Sequence, residues 1–242
     1  MYHSITFGDK NTWDDWHLVP SSRPVINPPA QKTKTLDVPG ADGVIDLSTS
    51  LTGYPVFKNR TGSIEFYVMN DYEGYNWIDV YSSVMAYIHG KTMRMTLEDD
   101  PDYYYEGRFE VNAWKSDKNW SKITINYDVN PYKWSWESSL IQNPELFYEI
   151  PIGTTSQTFT FDMASMSNAP ICPTFIVDIS ENDALGLQYI NQELNINTNI
   201  NLRAGETKDP QIILYGENSV MASVHTQYST GTLSIDFHPG RL

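Results

Sequence analysis

The chain has 242 residues, enough for one large β domain or two ordinary ones, and its 40% hydrophobic content is sufficient to build real cores. The formal net charge is −14, from 16 Lys+Arg against 30 Asp+Glu, a balance that repels phosphate and disfavours stable nucleic-acid binding. The single cysteine, Cys172, excludes an internal disulfide. No apolar run approaches the ~18 residues of a membrane span, and the start of the chain lacks the basic-then-apolar pattern of a secretion signal.

In chain order, Met1-Tyr2-His3-Ser4-Ile5-Thr6-Phe7-Gly8 reads as a first strand, followed by the Pro-rich link Pro24-Val25-Ile26-Asn27-Pro28-Pro29. In Val38-Pro39-Gly40-Ala41-Asp42-Gly43-Val44-Ile45-Asp46-Leu47, a tight turn needing glycine at positive φ feeds a strand. Residues 63–69 alternate polar and apolar, the signature of a half-buried strand. Residues 76–89 repeat apolar positions at Trp77, Val80, Tyr81, Val84, Met85 and Ile88, which predicts a one-sided helix stopped by Gly90. A strand over 92–97, a solvated acidic turn over 98–102 and a long hairpin with arms at 103–114 and 120–129 complete the first half.

Lys and Arg thin out after residue 134: residues 1–134 carry 13 of them against 18 Asp+Glu, residues 135–242 only 3 against 12. With the polar run 138–144, this places a domain boundary there, giving domains 1–134 and 135–242. The second half reads as eight short strands, at 147–152, 157–161, 174–179, 185–190, 193–197, 211–215, 220–225 and 232–237. That spacing predicts a two-sheet sandwich or jelly roll. Aromatic content of 13%, including 16 Tyr and 7 Trp, agrees with a mainly β fold.

Little in the chain signals chemistry. The acids Glu98, Asp99, Asp100 and Asp102 do not have calcium-loop spacing. His3, His17, His89, His225 and His238 lack zinc spacing, and Cys172 reads as a small buried apolar residue. There is no Gly-x-Ser-x-Gly elbow, phosphate-binding loop or dinucleotide fingerprint, so neither an enzymatic activity nor a cofactor is expected. The sequons at Asn59 and Asn119 read as chance matches. Trp114, Trp120, Tyr132, Trp134 and Trp136 crowd the hairpin and linker. They fit either a protein–protein surface or internal packing, since Trp and Tyr dominate both.

The order of these segments resembles the distal tail (Dit) proteins of long-tailed phages. The resemblance rests on the Pro39–Leu47 segment, the single helix and the hairpin ending at Asn130-Pro131-Tyr132. It continues in Ala169-Pro170-Ile171-Cys172-Pro173-Thr174-Phe175, Leu214-Tyr215-Gly216-Glu217-Asn218 and Gly231-Thr232-Leu233 through Leu242. It implies a β-rich N-terminal domain with one α-helix, and a C-terminal galectin-like β-sandwich. It further implies a homo-hexameric ring at the distal end of the virion tail, made in the host cytoplasm. That ring would join the tail tube protein to the tail-tip hub or tail-associated lysin, contact the tape measure and receptor-binding proteins, and let DNA pass only transiently, with no membrane partner. The sugar-binding residues of galectins are missing, since Trp134-Ser135-Trp136-Glu137 has the wrong spacing. For the ring contact, the expected residues are Leu36, Val38, Val44 and Leu47 with Trp120, Ile123, Ile125 and Tyr127 of the second hairpin arm. Trp114, Trp134 and Trp136 form a candidate aromatic contact surface. The competing reading is a glycan-binding β-sandwich module for host adhesion, with Trp114 or Trp136 stacking on sugar.

Overall fold

A computed structural model describes residues 2–68, 76–116, 121–150, 153–180, 184–216, 219–226 and 230–242. The first half contains β1 (Ile5–Phe7), β2 (Lys10–Asn11), β3 (Leu18–Pro20), β4 (Thr35–Asp37), β5 (Val44–Asp46), β6 (Arg60–Val68), α1 (Trp77–Ile88), β7 (Lys91–Leu97), β8 (Asp100–Ser116) and β9 (Ser121–Val129). The second half contains β10 (Lys133–Ser135), α2 (Ser139–Gln142), β11 (Phe147–Ile150), β12 (Gly153–Asp162), α3 (Met163–Met166), β13 (Thr174–Asp178), β14 (Leu185–Asn191), β15 (Ile196–Leu202), β16 (Gly205–Lys208), β17 (Ser219–Thr226), β18 (Gly231–Asp236) and β19 (Gly240–Arg241). The fold is mainly β, as the alternation in the sequence implies.

Contacts divide the chain into two compact units, Met1–Thr35 with Val56–Lys133, and Leu36–Pro55 with Trp134–Leu242. The segment 36–55, which the sequence groups with its neighbours in the first half, therefore belongs by contact to the second unit. Gly53 lies 3.1 Å, as a built Cβ, from the Leu194 side chain, and Tyr54 packs on Tyr215 at 4.6 Å between ring centres.

The first unit is an antiparallel sheet in the order β2-β1-β7-β8-β9-β6-β3 with α1 against one face. The alternation Ile123, Ile125, Tyr127, Val129 on β9 and Ile64, Phe66, Val68 on β6 sends these side chains to one side. There they meet Val80, Val84 and Ile88 of α1 in a single core, in which Phe7 and Phe109 pack edge to face at 5.1 Å. Asn76 caps the helix through its side-chain oxygen to the Ile78 N–H, and Gly90 closes it at φ 74°.

The second unit holds two four-stranded sheets, β11-β18-β13-β16 and β12-β17-β14-β15. Tyr148 of the first stacks on Phe159 of the second at 3.7 Å, so the sheets meet face to face as a sandwich. Two of the predicted strands shift. The strand expected at 193–197 begins at Ile196, because Asn195 turns with φ 53°. Residues 211–215 make only an isolated bridge between Leu214 and Ile171.

Candidate interaction surfaces

Strand β8 is paired with β9 in simple alternation until the register slips between Val111 and Ala113. The slip inserts one residue and re-aims the side chains beyond it, as β-bulges do. Trp114 thereby falls opposite Ile123. Trp77 and Tyr81, one helical turn apart on α1, meet it there, with ring centres 6.0 and 5.7 Å from Trp114 and 5.6 Å from each other. Trp114 remains 57% exposed, and Ile78 is exposed on the same helix. The result is a small aromatic platform whose back is anchored in the core.

The other two tryptophans of the expected aromatic surface belong to the second unit. Trp134 is half-buried, its ring set against the backbone of Gly240, where any Cβ would come within 2.8 Å. Trp136 is exposed. Trp134 also lines a cavity of about 400 Å³ with Cys172, Thr174, Lys208, Asp236 and His238. Burial pushes the Cys172 thiol up, its Sγ lies 3.2 Å from the Asp209 carbonyl, and the residue is only partly buried rather than a core position.

Of the residues expected at a ring contact, Leu36, Val44 and Leu47 are exposed and Val38 is half-buried. They lie on the β4–β5 ribbon and its turn, where Gly40 and Gly43 adopt φ 85° and 77°, as the Pro-Gly-x-x-Gly spacing requires. Asp46 ends the ribbon by accepting the Ser48 N–H at 2.8 Å, and the Ser48 hydrogen bonds hold its carboxyl below the usual range. Ile45 and Leu51 add exposed apolar surface to this segment. Ile123, Ile125 and Tyr127 differ from expectation. They are 0%, 1% and 3% exposed and form the core of their own unit, because the apolar side of β9 faces α1. Buried so, they offer no surface for a contact between protomers. Trp120 lies outside the described residues.

The acidic turn between β7 and β8 leaves Glu98 and Asp102 exposed, as a solvated turn would, and half-buries Asp99 and Asp100. Three of its carboxylates are held by separate partners. Glu98 accepts the Ser4 N–H at 2.7 Å, Asp99 binds His3 Nδ1 at 2.9 Å and Arg23 Nε at 2.8 Å, and Asp100 pairs with Lys133 Nζ at 2.6 Å. The His3 hydrogen bond, then Arg23, lowers the Asp99 carboxyl.

No helix among the described residues is long and apolar enough to cross a membrane. No family model matches the sequence, and no curated protein matches it. Among solved structures, the chain is similar to the SPP1 Dit (gp 19.1) protein, described as a paradigm of the hub adsorption apparatus in phages infecting Gram-positive bacteria. The TM-score is 0.65 at 13% sequence identity, covering 100% of this chain and 100% of that one. The likeness therefore lies in the fold and runs end to end: this chain folds as a phage distal tail protein does.

Proposed function

We propose that the protein is a structural component of a phage tail tip and works there as a Dit-type adaptor. The observation that carries this reading is the full-length fold likeness to a protein of a phage hub adsorption apparatus, spanning both units. The finer reading is a homo-hexameric ring that joins the tail tube protein to the tail-tip hub or tail-associated lysin and surrounds the path of the DNA. The tape measure protein would meet the ring, and receptor-binding proteins would be held at its periphery. The protein needs no catalytic group for this work. Net charge of −14 suits a wall past which DNA must slide without adhering.

The ring contact is assigned to the exposed apolar side chains of the β4–β5 ribbon, Leu36, Val44 and Leu47, with Val38 beside them. A patch of this kind needs cover in an assembled particle, and a head-to-tail contact that closes gives a ring. Light scattering with negative-stain imaging of the same peak tests the reading. A species of six times the 27.7 kDa chain mass with a central hole supports it. A monomer that also fails to bind tube or hub protein refutes it.

A second reading, glycan binding, is favoured by the exposed Trp114 platform with Trp77 and Tyr81. Saturable binding on a glycan array, lost in Trp114→Ala, would select it.

A further inference from the structure

Open sheet edges are templates for pairing, and folded proteins blunt them with short strands, charge, proline or bulges. Most edges here follow that rule. In the first unit, β2 has two residues, and β3 has three and ends in Pro20. In the second, β11 and β16 have four residues each and carry Glu149, or Glu206 with Lys208. Edge strand β12 breaks register between Gly153 and Gln157.

Strand β15 does not follow it. It runs seven residues, Ile196-Asn197-Thr198-Asn199-Ile200-Asn201-Leu202, without a charge, a proline or a bulge. One edge pairs residue for residue with β14, and no strand among the described residues pairs with the other. Its faces alternate. Asn197, Asn199 and Asn201 are exposed, while Ile196, Thr198 and Ile200 are half-buried and Leu202 is buried.

We infer that β15 is a self-pairing edge, joined antiparallel to β15 of a second copy about a two-fold axis. The sequence is self-complementary for this. With Asn199 opposite its own copy, Asn197 falls opposite Asn201, Thr198 opposite Ile200 and Ile196 opposite Leu202. Every outer-face pair is then Asn with Asn, which stack and hydrogen-bond as ladders, and every inner-face pair extends the sandwich core. The two four-stranded sheets become one of eight strands. Charge favours this edge as well. A chain at −14 repels its own copy over most of its surface, and β15 is a neutral strip on which two copies can close. The contact is isologous, so it is distinct from a head-to-tail ring contact and would pair two protomers or two rings.

The test is a charge swap at the symmetry centre. Sedimentation equilibrium of the full chain is run from 1 to 100 µM for wild type, Asn199→Lys, Asn199→Asp and an equimolar mixture of the two variants. The expected wild-type result is a concentration-dependent doubling of mass. Either variant alone should shift that transition at least tenfold to higher concentration, since like charges then face each other, and the mixture should restore it. Circular dichroism confirms that each variant is folded. Wild type that never doubles, variants that double as wild type does, or a mixture no better than its components overturns the proposal.

Discussion

Gly62 lies directly beneath the phenol of Tyr127, its cross-strand partner: a Cβ on Gly62 would fall 2.3 Å from Tyr127 Oη and 2.8 Å from Asn27 Nδ2. The same hydroxyl accepts the Asn27 N–H at 3.0 Å, so glycine is required here for space, to let an aromatic ring cross the strand and tie down the chain entering from residue 27. Gly62→Ala should lower stability by about 1–3 kcal/mol through overpacking, and Tyr127→Phe by ~1 kcal/mol through the lost acceptor. Chemical denaturation of each variant checks both. Unchanged midpoints would mean the ring has room to move.

Truncating the apolar side of β9 should cost more. Ile125→Ala leaves a cavity in the core between sheet and helix, with an expected loss of about 2–5 kcal/mol. Thr124→Ala, on the half-buried opposite side, should stay within ~0.5 kcal/mol of wild type. Thermal melts of the pair separate a core strand from a contact strand.

Val44→Asp with Leu47→Asp places charge on the exposed ribbon. Assembly should be lost while the far-UV spectrum and melting temperature of the monomer hold. Rings that persist would move the contact elsewhere on the protein.

High pH should loosen the sandwich. Burial pushes the Tyr148 and Tyr189 phenols up to about 12 from 10.0, and the Tyr189 hydroxyl donates to the Ile213 carbonyl at 2.7 Å. Because the folded state holds these protons more tightly than the unfolded chain, their contribution is complete below pH 10 and disappears as pH rises towards 12. Denaturant midpoints across that range should fall, and less steeply in Tyr189→Phe. An equal slope in that variant would remove Tyr189 from the account.

Low pH should act on the first unit. The Asp99 carboxyl is depressed from 3.8, first by His3 and then by Arg23, so its contribution is present above that value and lost as the carboxyl protonates in more acidic solution. Amide exchange at residues 3–6 should quicken there, and Asp99→Asn should exchange fast already at neutral pH. Slow exchange in that variant would show the hydrogen bonds to be incidental.

The elements with strong local period were legible in the sequence. The α1 stripe from Val80 to Ile88 and the alternation in β6 and β9 each bury one face, so pattern and packing agree. The Gly40 and Gly43 turn was legible because its φ values leave few alternatives to glycine. Features set by distant partners were not. The slip at Val111 that turns Trp114 towards α1 has no sequence mark beyond the crowding of aromatics. The partners of the acids at 98–100 were not legible, because Ser4, His3 and Lys133 reach them only through the fold. The burial of Ile123, Ile125 and Tyr127 was not legible either, because an alternating strand shows which side chains share a face, but not whether that face is covered.

Strand β18 lies between β11 and β13, yet it follows them by more than fifty residues of chain. Until residues 231–236 leave the ribosome, β11 has no strand partner among the described residues and β13 shows a bare edge, so this sheet of the sandwich closes only once that later segment has been made. Nascent or nonsense-truncated chains that stop before Gly231 would present those unpaired strands to the chaperones and proteases of the cell, so quality control of this protein turns on a segment made more than fifty residues after the strands it joins.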